Sequence, residues 1–169
     1  MRFQRILLFF IFCSTLVFSF ENEALVIAGE HVVSLRDVQV RYYLNHPQDF
    51  QKRKALLFTK KEKRKYAKEY LLRLLADEEN KIFKRVSVSR EEVLKLNEQL
   101  KKYFGSESFQ VFKKELELSD EDLNFIFRNE LIYQKSVQKS ESEKAWQKIL
   151  LRRYSPRYFS FKDSKKLKK

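Results

Sequence analysis

Only two glycines and two prolines punctuate the 169 residues, so the chain has few places to turn sharply and must be built mostly of helix. One short stretch escapes that pattern. Residues 26–37, VIAGEHVVSLRD, read as two brief apolar runs around Gly29-Glu30, which predicts a β-hairpin with strands at 25–28 and 31–33. Two strands alone are marginal in water, so the hairpin needs a third strand or a helix to lie on.

Helix starts are legible from paired residues. Ser34 with Asp37, Ser89 with Glu92 and Ser119 with Asp122 each set a hydroxyl three positions before a carboxylate, an arrangement that satisfies free backbone amides at a helix N-terminus. The first helix carries Leu35, Val38, Tyr42 and Tyr43 on one face and stops before Pro47, because the residue preceding proline resists helical geometry. A second, from about residue 61 to residue 84, keeps three-to-four spacing through Ala67, Tyr70, Leu71, Leu74, Leu75 and Ile82. The helix opened by Ser89 has a stripe of Val93, Leu96, Leu100 and Phe104, and Gly105 ends it. Ser106 is expected to cap a short helix holding Phe109, Phe112 and Leu116, and Ser119 a longer one through residue 139.

The last helix places Trp146, Ile149, Leu150 and Arg153 on one face and ends near Tyr154, ahead of Pro156. Beyond it RYFSF alternates, with Tyr158 and Ser160 on one side and Phe159 and Phe161 on the other, as a short strand does. This is the missing strand. The expected fold is mainly α, with a small β-sheet made by the N-terminal hairpin and a C-terminal strand.

Residues 1–19 have the layout of a secretory signal peptide: Arg2 and Arg5, an uncharged run from Ile6 to Phe20, and Val17 and Ser19 before a cut after Ser19. The run is about 15 residues, short of the roughly 20 that span a bilayer, and an uncleaved anchor is the other reading. Phe12 is too bulky for lipoprotein processing at Cys13. The cut removes the only Cys, leaving a domain at 20–161 without disulfides and a basic tail at 162–169 expected to be disordered.

The net charge of +13 falls to +11 without Arg2 and Arg5, and it is unevenly spread. Residues 52–68 hold nine Lys or Arg against one Glu, at the start of a helix whose dipole prefers anions there. Such a face attracts nucleic acid, anionic lipid or acidic protein; the plainer reading is a solvated helix face. Lys and Arg interleaved with Phe58, Tyr66 and Tyr70 fit phosphate pairing and base stacking, although export argues against a nucleic-acid partner and for a salt-sensitive membrane contact.

Three segments, VIAGEHVVSLRDV, VSREEV and FRNELIYQKSV with Arg128, Glu130 and Leu131, resemble in order and spacing the N-terminal chaperone domain of the SurA-like periplasmic folding factors, whose relatives include PpiD and PrsA. The resemblance runs from about Leu25 to Lys139. In that family one or more parvulin prolyl isomerase domains follow this point, and a helix and strand then return to close the chaperone domain. Residues 140–161 look like that returning element joined directly to Lys139, so the resemblance implies the chaperone part without an isomerase or its activity.

Catalytic and metal chemistry finds little footing in the sequence. His31 and His46 have no Cys partner after the cut and no HxxxH or HExxH spacing, and the two glycines are too far apart for a phosphate loop, so no cofactor is expected. The aromatic residues Phe104, Phe109, Phe112, Phe125, Phe127 and Tyr133 cluster instead. Either they are core, or some line an open groove in which unfolded client segments dock. The expected function is a non-catalytic, exported chaperone for unfolded envelope or outer-membrane proteins. The alternatives are a basic binder of anionic lipid or nucleic acid, or a scaffold subunit for a separate isomerase or membrane partner.

Overall fold

The computed structural model describes residues 23–52 and 58–159. Among them the chain forms β1 (Ala24–Ala28), β2 (His31–Ser34), α1 (Leu35–Asn45), α2 (Pro47–Gln51), α3 (Lys60–Phe83), α4 (Arg90–Phe104), α5 (Ser106–Glu115), α6 (Asp120–Gln138), α7 (Glu143–Tyr154) and β3 (Arg157–Tyr158). The expected leader at 1–19, the tail at 162–169, and Ser160 and Phe161 lie outside the described residues.

The three strands form one antiparallel sheet in the order β2-β1-β3. The hairpin therefore finds its third strand at the far end of the chain, as the alternating RYFSF segment led us to expect. Val26 stands opposite Val33 on one side and Tyr158 on the other, and the Phe159 amide extends the pairing by donating to the Leu25 carbonyl at 3.0 Å. A register shift between Ala24 and Val26 marks a bulge, and with it two consecutive residues, Leu25 and Val26, are both wholly buried. The turn between β1 and β2 sets Gly29 at φ 59°, a backbone region that favours glycine.

All three expected Ser-to-acid boxes form, at Ser34, Ser89 and Ser119. A fourth joins Thr59 to Glu62 and starts α3 at Lys60, within a stretch whose run of Lys and Arg masks the cap. The Ser106 cap is corrected: Ser106 is already helical, and Gly105 at φ 78° both ends α4 and precedes α5. Because the chain reverses there through a conformation that disfavours side chains, α4 and α5 pack as a tight pair.

Two apolar clusters fill the molecule. The first surrounds α3, where Ala67, Leu71 and Leu75 meet Val26 and Val33 of the sheet, Ile132 of α6 and Leu150 of α7. The second joins Phe50 of α2 to Phe104, Phe109 and Phe112 of the α4–α5 pair and to Leu123 and Phe127 of α6. Two residues expected on buried stripes are outside: Ile82 is 60% exposed and Ile149 is 56% exposed. Each lies at the edge of its helix's apolar arc, where spacing alone does not decide which way a side chain falls.

Where α1, α3 and α6 cross, the interior is charged. Glu130 of α6 accepts from Arg41 of α1 at 2.7 Å and from Arg73 of α3 at 2.5 Å. One turn along α3 from Arg73, the buried Asp77 accepts from Arg128 of α6 at 2.5 Å. Arg36 ties α1 to the end of α5 by donating to the Leu116 and Glu117 carbonyls at 2.8 and 2.6 Å. These polar ties fix how the helices sit around α3.

Candidate functional site

Of the six aromatic residues expected to line a client groove, five are core. Phe104 and Phe112 are wholly buried, Phe109 and Phe127 are 3% exposed and Tyr133 is 6% exposed. The four buried phenylalanines pack against one another and against Phe50, with ring centroids 4.9 Å apart for Phe104 and Phe112 and 5.4 Å for Phe50 and Phe112. The α4–α5 pair, closed around Gly105 and plugged by α2, hides more ring area than two isolated short helices would. Phe125 alone is open, at 46% exposure, on the solvent side of α6. The six therefore do not form one surface.

Tyr133 is the exception in another way, because it reaches a real opening. An open cleft of about 450 Å³ lies between α3, α6 and α7. Leu72 and Tyr133 supply its apolar lining, and Lys65, Lys68, Arg73 and Gln147 its polar one, with Glu69 and Glu143 also present. Tyr133 is visible in the sequence as one of the aromatic cluster and Lys65 and Lys68 as part of the basic run, whereas Glu69, Arg73, Glu143 and Gln147 are polar residues on helix faces that spacing assigns to solvent.

Tyr133 is held from three sides. Its hydroxyl donates to Glu143 at 2.6 Å, Gln147 donates to it at 2.6 Å, and the Arg73 guanidinium lies 4.4 Å from its ring centroid. Burial first, and then the hydrogen bond to Glu143, push the phenol up to about 12, so it remains a neutral donor at ordinary pH. Arg73 is itself locked by Glu130 and by the Glu69 carbonyl, to which it donates at 2.7 Å. The cleft is preorganised, with an aromatic face, an amide and charges of both signs.

These groups suit binding of a segment that presents apolar side chains and unpaired backbone groups. Leu72 and the Tyr133 ring, 2% and 6% exposed, form only a narrow apolar floor, while Gln147 and the surrounding charges offer partners to amides and carbonyls. The histidines take part in other contacts: His46 lies 3.2 Å from the Tyr66 hydroxyl and His31 lies 3.8 Å from Glu78. Among the described residues no cluster of His, Cys, Asp and Glu could hold a metal ion, and no helix is long and apolar enough to cross a membrane.

No protein-family model, no curated protein and no solved structure matches the chain. The class that stands is a mainly helical protein with a terminal three-stranded sheet.

Proposed function

We propose that the chain is an exported, non-catalytic chaperone of the SurA-like kind, which holds unfolded envelope or outer-membrane proteins in the α3–α6–α7 cleft. One observation carries the reading: β3 pairs with β1 while α6 runs into α7 through the short link 139–142. That is the closure the resemblance implies for a chaperone domain whose isomerase is missing. With the aromatic cluster buried, the client surface moves to the cleft, where Gln147, Arg73 and the neighbouring charges give polar contact around a narrow apolar floor at Leu72 and Tyr133. Apolar burial is non-directional, so such a site tolerates many sequences and needs neither nucleotide nor metal for capture. Release follows when the client folds or inserts and withdraws its apolar segments.

The test is aggregation of a urea-unfolded outer-membrane β-barrel protein diluted into buffer with the chain, at low and high salt. Protection that persists at high salt, and that weakens when Gln147→Trp fills the cleft mouth, supports the reading. Aggregation unchanged at every ratio of chain to client overturns it.

A further inference from the structure

We propose that the outer face of the first half of α3 docks on an anionic membrane surface. Lys61, Arg64, Lys65 and Lys68 recur at i, i+3, i+4 and i+7, which puts them on one side of the helix. Tyr66 and Ala67 are buried in the core, while Lys61, Arg64 and Lys65 are exposed and Lys68 is half-buried, so three of the four cations are turned fully outward. The two carboxylates on this half of α3 are already engaged. Glu62 is bound up in the Thr59 cap, and Glu69 lies 3.6 Å from Arg41 and accepts from Asn45.

The stripe works against its own helix. Like charges three and four residues apart repel, and cations near a helix N-terminus oppose its dipole. Both effects are relieved when a sheet of negative charge faces α3.

A bilayer suits the surroundings better than a polynucleotide does. The rings interleaved with these cations in the sequence are not available for base stacking: Phe58 and Tyr66 are 4% and 5% exposed, and Tyr70 is packed against the core. The ring at the stripe is the half-buried Tyr158, and Phe159 follows it on the other side of the strand. The Arg64 guanidinium lies 5.0 Å from the Tyr158 ring centroid, and the next residue, Phe159, is 45% exposed. A row of outward cations without a free ring for base stacking matches a headgroup layer, where the cations meet phosphates. From Phe159 the sequence continues as SFKDSKKLKK, with five further Lys and one Asp. Lys65 and Lys68 also line the cleft, so docking by this face brings the cleft to the membrane.

The test is partition of the full chain onto vesicles of phosphatidylglycerol and phosphatidylethanolamine, compared with vesicles of phosphatidylcholine alone. The readout is the ratio of the two partition coefficients, and comparison of parent with variant cancels the contribution of the N-terminal segment, Arg2 and Arg5 included. The ratio is expected to be well above one at low salt and to collapse at high salt. Each cation near an anionic surface is worth about five-fold, so Lys61→Gln lowers the ratio about five-fold and the combined Lys61→Gln, Arg64→Gln, Lys65→Gln, Lys68→Gln chain by about 100-fold or more. The combined variant should keep its helical circular dichroism, because the removal of repulsion offsets the loss of the ring contacts of Arg64 with Tyr158 and of Lys65 with Tyr66. A ratio near one for the parent, or one that the combined variant leaves unchanged, overturns the proposal. Tighter binding to single-stranded DNA than to the anionic vesicles at the same salt overturns it in favour of a polynucleotide.

Discussion

Tyr158 stands directly opposite Val26, and through that pair the last described strand closes onto the first. Its ring is half-buried against the main apolar cluster beneath Arg64. Tyr158→Ala is therefore expected to cost about 2 kcal/mol, below the 3–5 typical of a fully buried ring, while Tyr158→Phe stays within about 0.5. Urea denaturation of the two variants measures the difference. A fully stable alanine variant would mean that the closing strand adds nothing to the fold.

Glu130 holds two guanidiniums whose side chains are 10% and 13% exposed. Glu130→Ala leaves both without their shared carboxylate, and a loss of about 3–5 kcal/mol is expected. Burial alone would raise the Glu130 pKa, but the hydrogen bond from Arg73 and the charges of Arg41 and Arg73 outweigh it and leave it below the ordinary value of 4.5. On the other partner burial wins, drawing Arg41 below its own ordinary value, although an arginine stays protonated throughout the working range. A depressed carboxylate contributes fully above the unfolded value and loses its contribution as pH falls through the folded one. Stability should thus fall as pH drops below about 4.5, and the fall should be shallower in Glu130→Gln; melting curves across that range test it.

The aromatic cluster separates core from surface in one comparison. Phe104→Ala and Phe112→Ala should each cost about 3–5 kcal/mol, because both rings are wholly enclosed, whereas Phe125→Ala should stay within about 0.5. If Phe104→Ala instead weakened client protection while leaving the unfolding midpoint unchanged, the ring would belong to a binding surface after all.

Thr59→Ala and Ser89→Ala each remove a side chain that accepts from the third helical amide, from Glu62 at 3.3 Å and from Glu92 at 3.2 Å. Each should cost about 1 kcal/mol, and because the two caps open different helices and share no partner the losses should add. The double variant's thermal midpoint checks additivity.

Much of the architecture was legible because the chain writes its helix starts in side chains. Ser34, Ser89 and Ser119 mark three of them, and Pro47, Gly105 and Pro156 fix ends. Thr59 was not legible, since its partner Glu62 is the lone acid among many cations and the segment reads as a charge run. Ile82 and Ile149 were misplaced because a helical period gives the width of an apolar arc and not its centre. The charged interior was legible only in part: Glu130 stood out through resemblance, while Arg41 and Asp77 look like surface residues until another helix supplies their partner. The cleft was least legible of all, because polar residues from α3 and α7 and a tyrosine from α6 converge there only after the helices pack.

The link 139–142 has a further consequence. Lys139, Glu141 and Ser142 are exposed, and no strand pairing passes through them. A guest module spliced between Lys139 and Ser142 would thus project from the surface without touching the ladder that clasps the two termini. Added chain at this one point would leave both apolar clusters and the clasp of the termini as they are.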